Sequence, residues 1–530
     1  MVKYDTWFIS RSHIKYALNS DTRFIMKKII LAIFSCFFLF NYGYAARPHI
    51  SLLETSYLMK PTGRYGIGFK DYHWINHQIC PDFNFNGKNQ DDFSAENTKH
   101  CHEIMARVYY PIDEKPSLGS NYYEPEIRAV QDGLLKQYPN IPVDQVNQLS
   151  ELQSYAVSQK EISQDKTFPM ILFSPGFGLP AQVYENFITE LVSHGYVVIG
   201  INSPFINLVE LPNKHVVEPA YVDSNTIKQF VQLQRSDLLY VYQQVYTNQS
   251  IDSIFSKIDL SHVGAFGHSI GGLTISSVGH DAQNWLSAGL TFDIGMDSSG
   301  ASRKSFNIPF MHQIASTRKD VESPAPIFEL GDNNYLVGIA PSDNDRHYST
   351  HTSFTDLSTI QSTPVFKTIK EYLNLRIANG FDLKFLSHKP TQSEIEQYQN
   401  ITYVLYIEND VWRLALYENK QYVKNITIGW VPTLEECLNN LPHKKPEDLS
   451  ENDINPVKEI MISLHKTLNQ LLGEGDGWEI TESINENLLQ FFDTFLKNNE
   501  NTNFQTCQPL KTNTYFKCGP GIVDLGAYQP

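Results

Sequence analysis

The chain has 530 residues, of which 41% are hydrophobic, so it can bury a large core and general disorder is excluded. Its 58 acidic residues outweigh 42 basic ones to give a net charge of −16, and no basic block interrupts the sequence, which sets nucleic acid aside as a partner. The spacings of its six cysteines do not match a zinc site, and neither a metal nor a cofactor is assigned.

The first feature in chain order is a targeting signal. From Met26, Lys27 and Lys28 precede an apolar run from Ile29 to Phe40, and Gly43 and Ala45 supply the small residues of a cleavage site before Ala46. The run is short for a spanning helix, which needs about 20 residues. Export to a secreted or periplasmic location is therefore expected, with the first 25 residues as an upstream extension and a membrane anchor as the alternative. Cys36 leaves with the signal. In an oxidising compartment Cys80 with Cys101, and Cys507 with Cys518, are natural short-loop bridges that leave Cys437 odd.

Beyond the signal, YGIGFKDYHWI and IMARVYYP read as antiparallel strands at a sheet edge. The stretch from Leu118 to Lys166 is polar, acidic and tyrosine-containing. It is either a helical insertion shielding a cleft or a surface excursion. PMILFSPG, YVVIGINS, HVGAFGHS and GLTFD are continuous apolar runs of the kind found in strands covered on both faces. Between them, AQVYENFITELVSHG carries one apolar stripe and stops at Gly195, and TIKQFVQLQRSDLLYVYQQVY repeats the pattern. Strands alternating with helices predict a doubly wound, mostly parallel α/β sheet. PFMHQIAS and NYLVGIAP are two further strands.

The remainder divides less regularly. Residues 361–475 read as an inserted β-rich module with strands YVLYIEND, VWRLALYE and QYVKNITIGW, the helical segment TLEECLNNL and an acidic linker. A helix within 476–500 then returns to the core formed by residues 46–360, and residues 501–530 are expected to be a cysteine-bearing tail. The partner of the module is not identified by its sequence.

The chemistry centres on GHSIG. In G-x-S-x-G a strand turns sharply into a helix and lifts a serine hydroxyl out of the sheet, which points to Ser269 as a nucleophile. A serine hydroxyl needs a histidine base, and the base needs a carboxylate to fix its tautomer. In this fold the order is serine, acid, histidine. Asp293 ends the strand GLTFD and is the first candidate acid, with Asp297 as the competitor. The polar loop after NYLVGIAP holds His351, the candidate base, and His347. His268, beside the nucleophile, points away from it on an elbow and is assigned to packing. Backbone N–H groups of Ile270, after the nucleophile, and Phe177, in SPGFG, are the candidate oxyanion donors.

Taken in order, PTGRYGIGFKDYHWIN, RVYYP, FPMILFSPGFG, LVSHGYVVIGINSP, QRSDL, VGAFGHSIGG, AGLTFDIGMDSSG, THTSFTDL and LLQFFDTFLK resemble bacterial platelet-activating-factor acetylhydrolase-like proteins of the α/β-hydrolase superfamily. The resemblance implies Ser269 as nucleophile, His351 as base within a His-x-x-Phe-x-Asp setting formed with Phe354 and Asp356, and Asp293 as acid. It also implies release of a short or oxidised acyl chain from a phospholipid, with transient contact to a membrane surface. The chain departs from the family at Pro175, where histidine is common, and in the module and the tail. A general carboxylesterase or lipase acting on other esters, and a non-catalytic binding protein working through the module, are the two alternatives.

Overall fold

The computed structural model describes residues 57–79, 101–122, 126–137, 143–219, 224–281, 285–294, 303–315, 327–339, 349–361, 381–398, 401–408, 411–418, 420–425, 446–455, 457–458, 477–497, 514–518 and 521–524. The signal segment, Cys80, Cys437, Cys507, Asp297, His347 and the segment TLEECLNNL lie outside them. Cys101 is disulfide-bonded.

The strands predicted as doubly covered form the centre of a ten-stranded sheet. In chain order its members are β1 (Gly66–Asn76), β2 (His102–Ile112), β3 (Ala156–Ser158), β4 (Phe168–Ser174), β5 (Val197–Asn202), β6 (Ile258–His268), β7 (Ala288–Phe292), β8 (Phe310–Ala315), β10 (Asn334–Ile339) and β15 (Thr514–Cys518). The spatial order is β15-β10-β8-β7-β6-β4-β5-β2-β1-β3. The central strands pair in parallel from β10 across to β5. Antiparallel pairing of β2 with β5 and with β1 closes one side, as the sequence of these two strands predicts.

The apolar runs are continuous because alternate side chains enter different cores. On β4, Ile171 and Phe173 join one hydrophobic cluster while Phe168, Met170 and Leu172 join another. Helices cover both faces. Leu238, Val241 and Val245 of α4 (Ser224–Asn248) and Ile275 and Val278 of α5 (Ile270–His280) bury with the second set. Phe187 and Leu191 of α3 (Glu185–Ser193) bury with the first, as do Ile480, Ile484, Leu488, Phe491 and Phe492 of α6 (Gly477–Leu496). The chain leaves α3 through Gly195, at φ 89°, a conformation that L side chains rarely adopt. Polar ties hold α6 to its neighbours: Tyr196 donates to Asp493 at 2.7 Å and Asn485 to the Asn186 carbonyl at 3.1 Å.

Two sequence expectations are modified. The segment 501–530 is not merely a tail. Residues 514–518 add β15 to the open edge of β10, and β16 (Gly521–Asp524) pairs antiparallel with β9 (Ile327–Leu330), a strand the sequence pattern did not mark. The stretch after Leu118 is not a surface excursion either. It forms α1 (Ile127–Gln137) and α2 (Val143–Asn147), and Tyr122, Ile127, Val146, Leu149 and Leu152 bury in the main core.

The inserted module forms its own four-stranded sheet, β11 (Phe381–Leu386), β12 (Ile401–Glu408), β13 (Val411–Glu418) and β14 (Gln421–Asn425), in that order. β12 to β14 correspond to the three expected strands. β11, parallel to β12, is additional. A small separate core of Tyr398, Val404, Tyr406, Ala415 and Tyr417 holds it. Both sheets belong to one compact unit, Thr55–Pro530.

The ring of Phe492 is fully buried and lies where a side chain on Gly264 of β6 would be. Phe492→Ala should therefore cost about 3–5 kcal/mol of stability, measured by urea unfolding.

Candidate active site

Ser269 sits between the end of β6 and the start of α5 with φ 55° and ψ −119°, outside the regions open to an ordinary L residue. The flanking glycines explain how the turn closes. A Cβ on Gly267 would lie 2.4 Å from the Gly271 carbonyl oxygen, and one on Gly271 would lie 2.0 Å from that of Ser174. Only glycine at both positions lets strand, turn and helix approach this closely. The serine's own backbone is held at both ends, its N–H donating to Phe292 O at 3.0 Å and its carbonyl accepting from Leu273 N at 3.0 Å. Its side chain is half-buried, at the opening of the turn.

Asp293 emerges directly after β7, on the neighbouring strand. It too has positive φ, 38°, and its N–H donates to Gln313 O at 2.7 Å. One carboxylate oxygen accepts from Ala315 N at 3.0 Å, and the other lies 2.5 Å from Nδ1 of His351. The carboxylate is 1% exposed whereas the imidazole is 34% exposed. With Nδ1–H directed at a buried anion, Nε2 is the basic nitrogen. Asp293 and His351 are thus brought together. Asp297 and His347 lie outside the described residues.

His351 opens a short helical turn, His351–Phe354, reached from β10. Phe354 is fully buried and packs 5.3 Å from Phe292. Asp356 fixes the loop from the other side, accepting from the N–H groups of Glu185 at 2.8 Å and Asn186 at 2.9 Å, the first residues of α3, and from the Tyr122 hydroxyl at 2.8 Å. Its own N–H donates to Val183 O at 2.7 Å. Burial pushes the Asp356 carboxyl up to about 8, against the lowering effect of these donors. Burial also raises the nearby Glu185, which accepts from Tyr109 and Ser154, and takes Glu126 up to about 7.

The loop after β4 lies against the elbow. A Cβ on Gly176 would fall 3.4 Å from Cβ of Ser269. The amides on either side of Phe177 are committed, Gly176 N–H to the Tyr184 hydroxyl at 3.1 Å and Gly178 N–H to Ile206 O at 2.8 Å. Asn207 donates to the carbonyls of Gly176 and Leu179, and Gln234 to that of Pro175, each at 3.0 Å. Gly178 takes φ 80°. Ile270 is the first residue of α5, where backbone N–H groups have no partner within the helix and the helix dipole favours negative charge.

His268 is 2% exposed and its ring lies 4.4 Å from that of His351. Its neighbour on the other side is Tyr184, which the sequence pattern gave no reason to single out. Asp356, which the family resemblance names only for its place beside the base, also caps the first turn of α3. Among the described residues no group of three or more His, Cys, Asp or Glu side chains could hold a metal, and no helix is long and apolar enough to cross a membrane.

Residues 57–203 match the family model of platelet-activating factor acetylhydrolase, isoform II. No curated protein matches. Of solved structures, ferulic acid esterase from Streptomyces cinnamoneus is similar at 19% identity over 57% of this chain and 80% of that one, with a TM-score of 0.42. The parallel sheet with helices on both faces, and a serine elbow at the end of a central strand, make this an α/β-hydrolase fold. Over residues 57–203 the chain is similar to the platelet-activating factor acetylhydrolases, and this match supports an ester hydrolase of the α/β-hydrolase type.

Two outcomes test this geometry. Gly271→Ala should abolish hydrolysis, because its methyl group would overlap the Ser174 carbonyl; activity close to wild type in a folded variant contradicts the packing. Between the ordinary carboxylate range and about 8, the unfolded chain has released the proton that folded Asp356 keeps. The folded state therefore binds more protons, and stability falls as pH rises through that window. Melting temperatures between pH 5 and pH 8 should decline for the wild type, and less steeply for Asp356→Asn.

Proposed function

We propose that the protein is a serine ester hydrolase using Ser269, His351 and Asp293. Ser269 Oγ attacks the acyl carbonyl carbon and passes its proton to His351 Nε2, while Asp293 holds Nδ1–H and stabilises the imidazolium. The N–H groups of Ile270 and Phe177 receive the negative charge on the carbonyl oxygen. Collapse of the tetrahedral intermediate breaks the ester C–O bond, and His351 returns the proton to the departing alcohol. Water, deprotonated by the same nitrogen, then attacks the acyl-enzyme and releases the acid and Ser269. The observation that carries the reading is the 2.5 Å His351–Asp293 pair beside a serine held at φ 55°.

The proposed substrate is a phospholipid with a short or oxidised acyl chain, met by transient contact with a membrane surface after export to a secreted or periplasmic location. The family match supports the lipid class. A general carboxylesterase is the second reading, because the match ends at residue 203, ahead of the elbow and of the segments that carry Asp293 and His351. The inserted sheet is proposed as an accessory surface with an unidentified partner.

Hydrolysis of a glycerophosphocholine series with acyl chains from acetyl to palmitoyl, set beside p-nitrophenyl esters, separates the two readings. Falling kcat/KM with acyl length on the phospholipids is expected, and activity confined to simple soluble esters removes the lipid substrate. Ser269→Ala should lower kcat by roughly ten-thousand-fold or more in either case.

A further inference from the structure

We propose that Tyr184 and His268 form a positioning relay that ties the backbone of His351 to the loop bearing the Phe177 donor, so that base and oxyanion site move as one unit. The inference rests on the hydrolytic reading given above. Three contacts make the chain: Gly176 N to Tyr184 Oη at 3.1 Å, Tyr184 Oη to His268 Nδ1 at 2.8 Å, and His268 Nε2 to the His351 carbonyl oxygen at 3.1 Å.

The ends of the chain fix the direction of every bond. A backbone N–H can only donate, so the Tyr184 oxygen accepts from Gly176. A backbone carbonyl can only accept, so Nε2 of His268 carries a proton. In the neutral ring Nδ1 is then bare, and it accepts the Tyr184 O–H. One tautomer satisfies all three contacts. A second ring proton would face the tyrosine with another donor and take this acceptor away from the phenolic hydrogen.

The setting leaves little freedom for these groups. Tyr184 is fully buried, with its ring 4.7 Å from Phe173 of β4, and the His268 ring lies 4.4 Å from that of His351 and 6.3 Å from that of Phe354. A Cβ on Gly176 would come 2.9 Å from His268 Nδ1, so the loop and the elbow are in direct contact at the relay. Neither side chain is assigned contact with the reacting atoms. Their effect passes through Gly176, which precedes the donor Phe177, and through the main chain of the base. A displacement of about 1 Å in such a frame is enough to cost around a hundredfold in rate.

The test compares the full-length wild type with Tyr184→Phe, His268→Phe, His268→Gln and the Tyr184→Phe/His268→Phe double variant, using p-nitrophenyl acetate. Tyr184→Phe removes one oxygen from a packed ring, and His268→Gln keeps an N–H able to reach the His351 carbonyl. Each phenylalanine substitution should lower kcat about 10- to 100-fold with KM within about twofold. His268→Gln should recover part of the loss, and the double variant should fall no further than the worse single one. Wild-type kcat in Tyr184→Phe, losses that multiply in the double variant, a change confined to KM, or losses that follow melting temperature alone overturn the relay. A fluorophosphonate probe separates this from failure of the underlying reading. Labelling of the wild type and all relay variants to equal stoichiometry, abolished in Ser269→Ala, keeps the hydrolytic reading whatever the kinetics show. Labelling of Ser269→Ala equal to wild type removes that reading, and the relay with it.

Discussion

The turn at Ser269 is a backbone conformation that an L residue adopts at a cost of order 1–3 kcal/mol, and the surrounding structure is organised to hold it. Gly267 and Gly271 approach one another where any side chain would collide, and Gly271 rests on the Ser174 carbonyl at the end of β4. Hydrogen bonds from Ser269 N to Phe292 and from Leu273 N to Ser269 fasten the turn to β7 and to the first turn of α5. Three neighbouring parallel strands, β4, β6 and β7, therefore meet at one residue. If any of them shifted, the hydroxyl would no longer stand at the opening of the sheet.

The other groups of the site follow from the same geometry. The Phe177 loop, the elbow, Asp293 and the loop to His351 leave the carboxyl ends of β4, β6, β7 and β10, the edge at which open α/β sheets place their sites. The turn with His351 is anchored at four points: Asp293 at the imidazole, His268 at its carbonyl, Phe354 in the core and Asp356 on α3. Asp356 in turn bonds Tyr122, which belongs to the stretch inserted ahead of β4. That stretch buries Tyr122, Glu126 and Ser154 beside this turn and α3, while most of its other described polar side chains remain exposed.

The parts legible in the sequence were those set by local chemistry. G-x-S-x-G marks the elbow because glycine is the only residue that fits there, and β4 to β7 read as buried because an apolar side chain stands on both faces. Asp293 was found as the residue following a strand end, and His351 from its place in the chain together with the family resemblance. What escaped is long-range. β15 joins the main sheet only after the His351 turn, the four strands of the inserted sheet and α6, and nothing in TYFKC identifies β10 as its partner. Strand β9 has only four residues and little room for a pattern, whereas β11, FDLKFL, alternates apolar and charged side chains and is legible in the sequence. Tyr184 reads as one apolar position on a helical stripe, since its role depends on His268 arriving from residues far along the chain. His268 looked like packing because the sequence cannot tell which neighbour a buried imidazole will meet.

The central claim is that the hydroxyl of Ser269 becomes acylated. Acid-quenching the enzyme during turnover of an acetyl ester, digesting it, and analysing the peptides by mass spectrometry reads this directly. The account predicts one acetyl group on the peptide that carries Ser269, its amount rising to a steady state and disappearing when substrate is exhausted. An acyl group found on another residue, or rapid hydrolysis with Ser269 unmodified at every quench time, would contradict it.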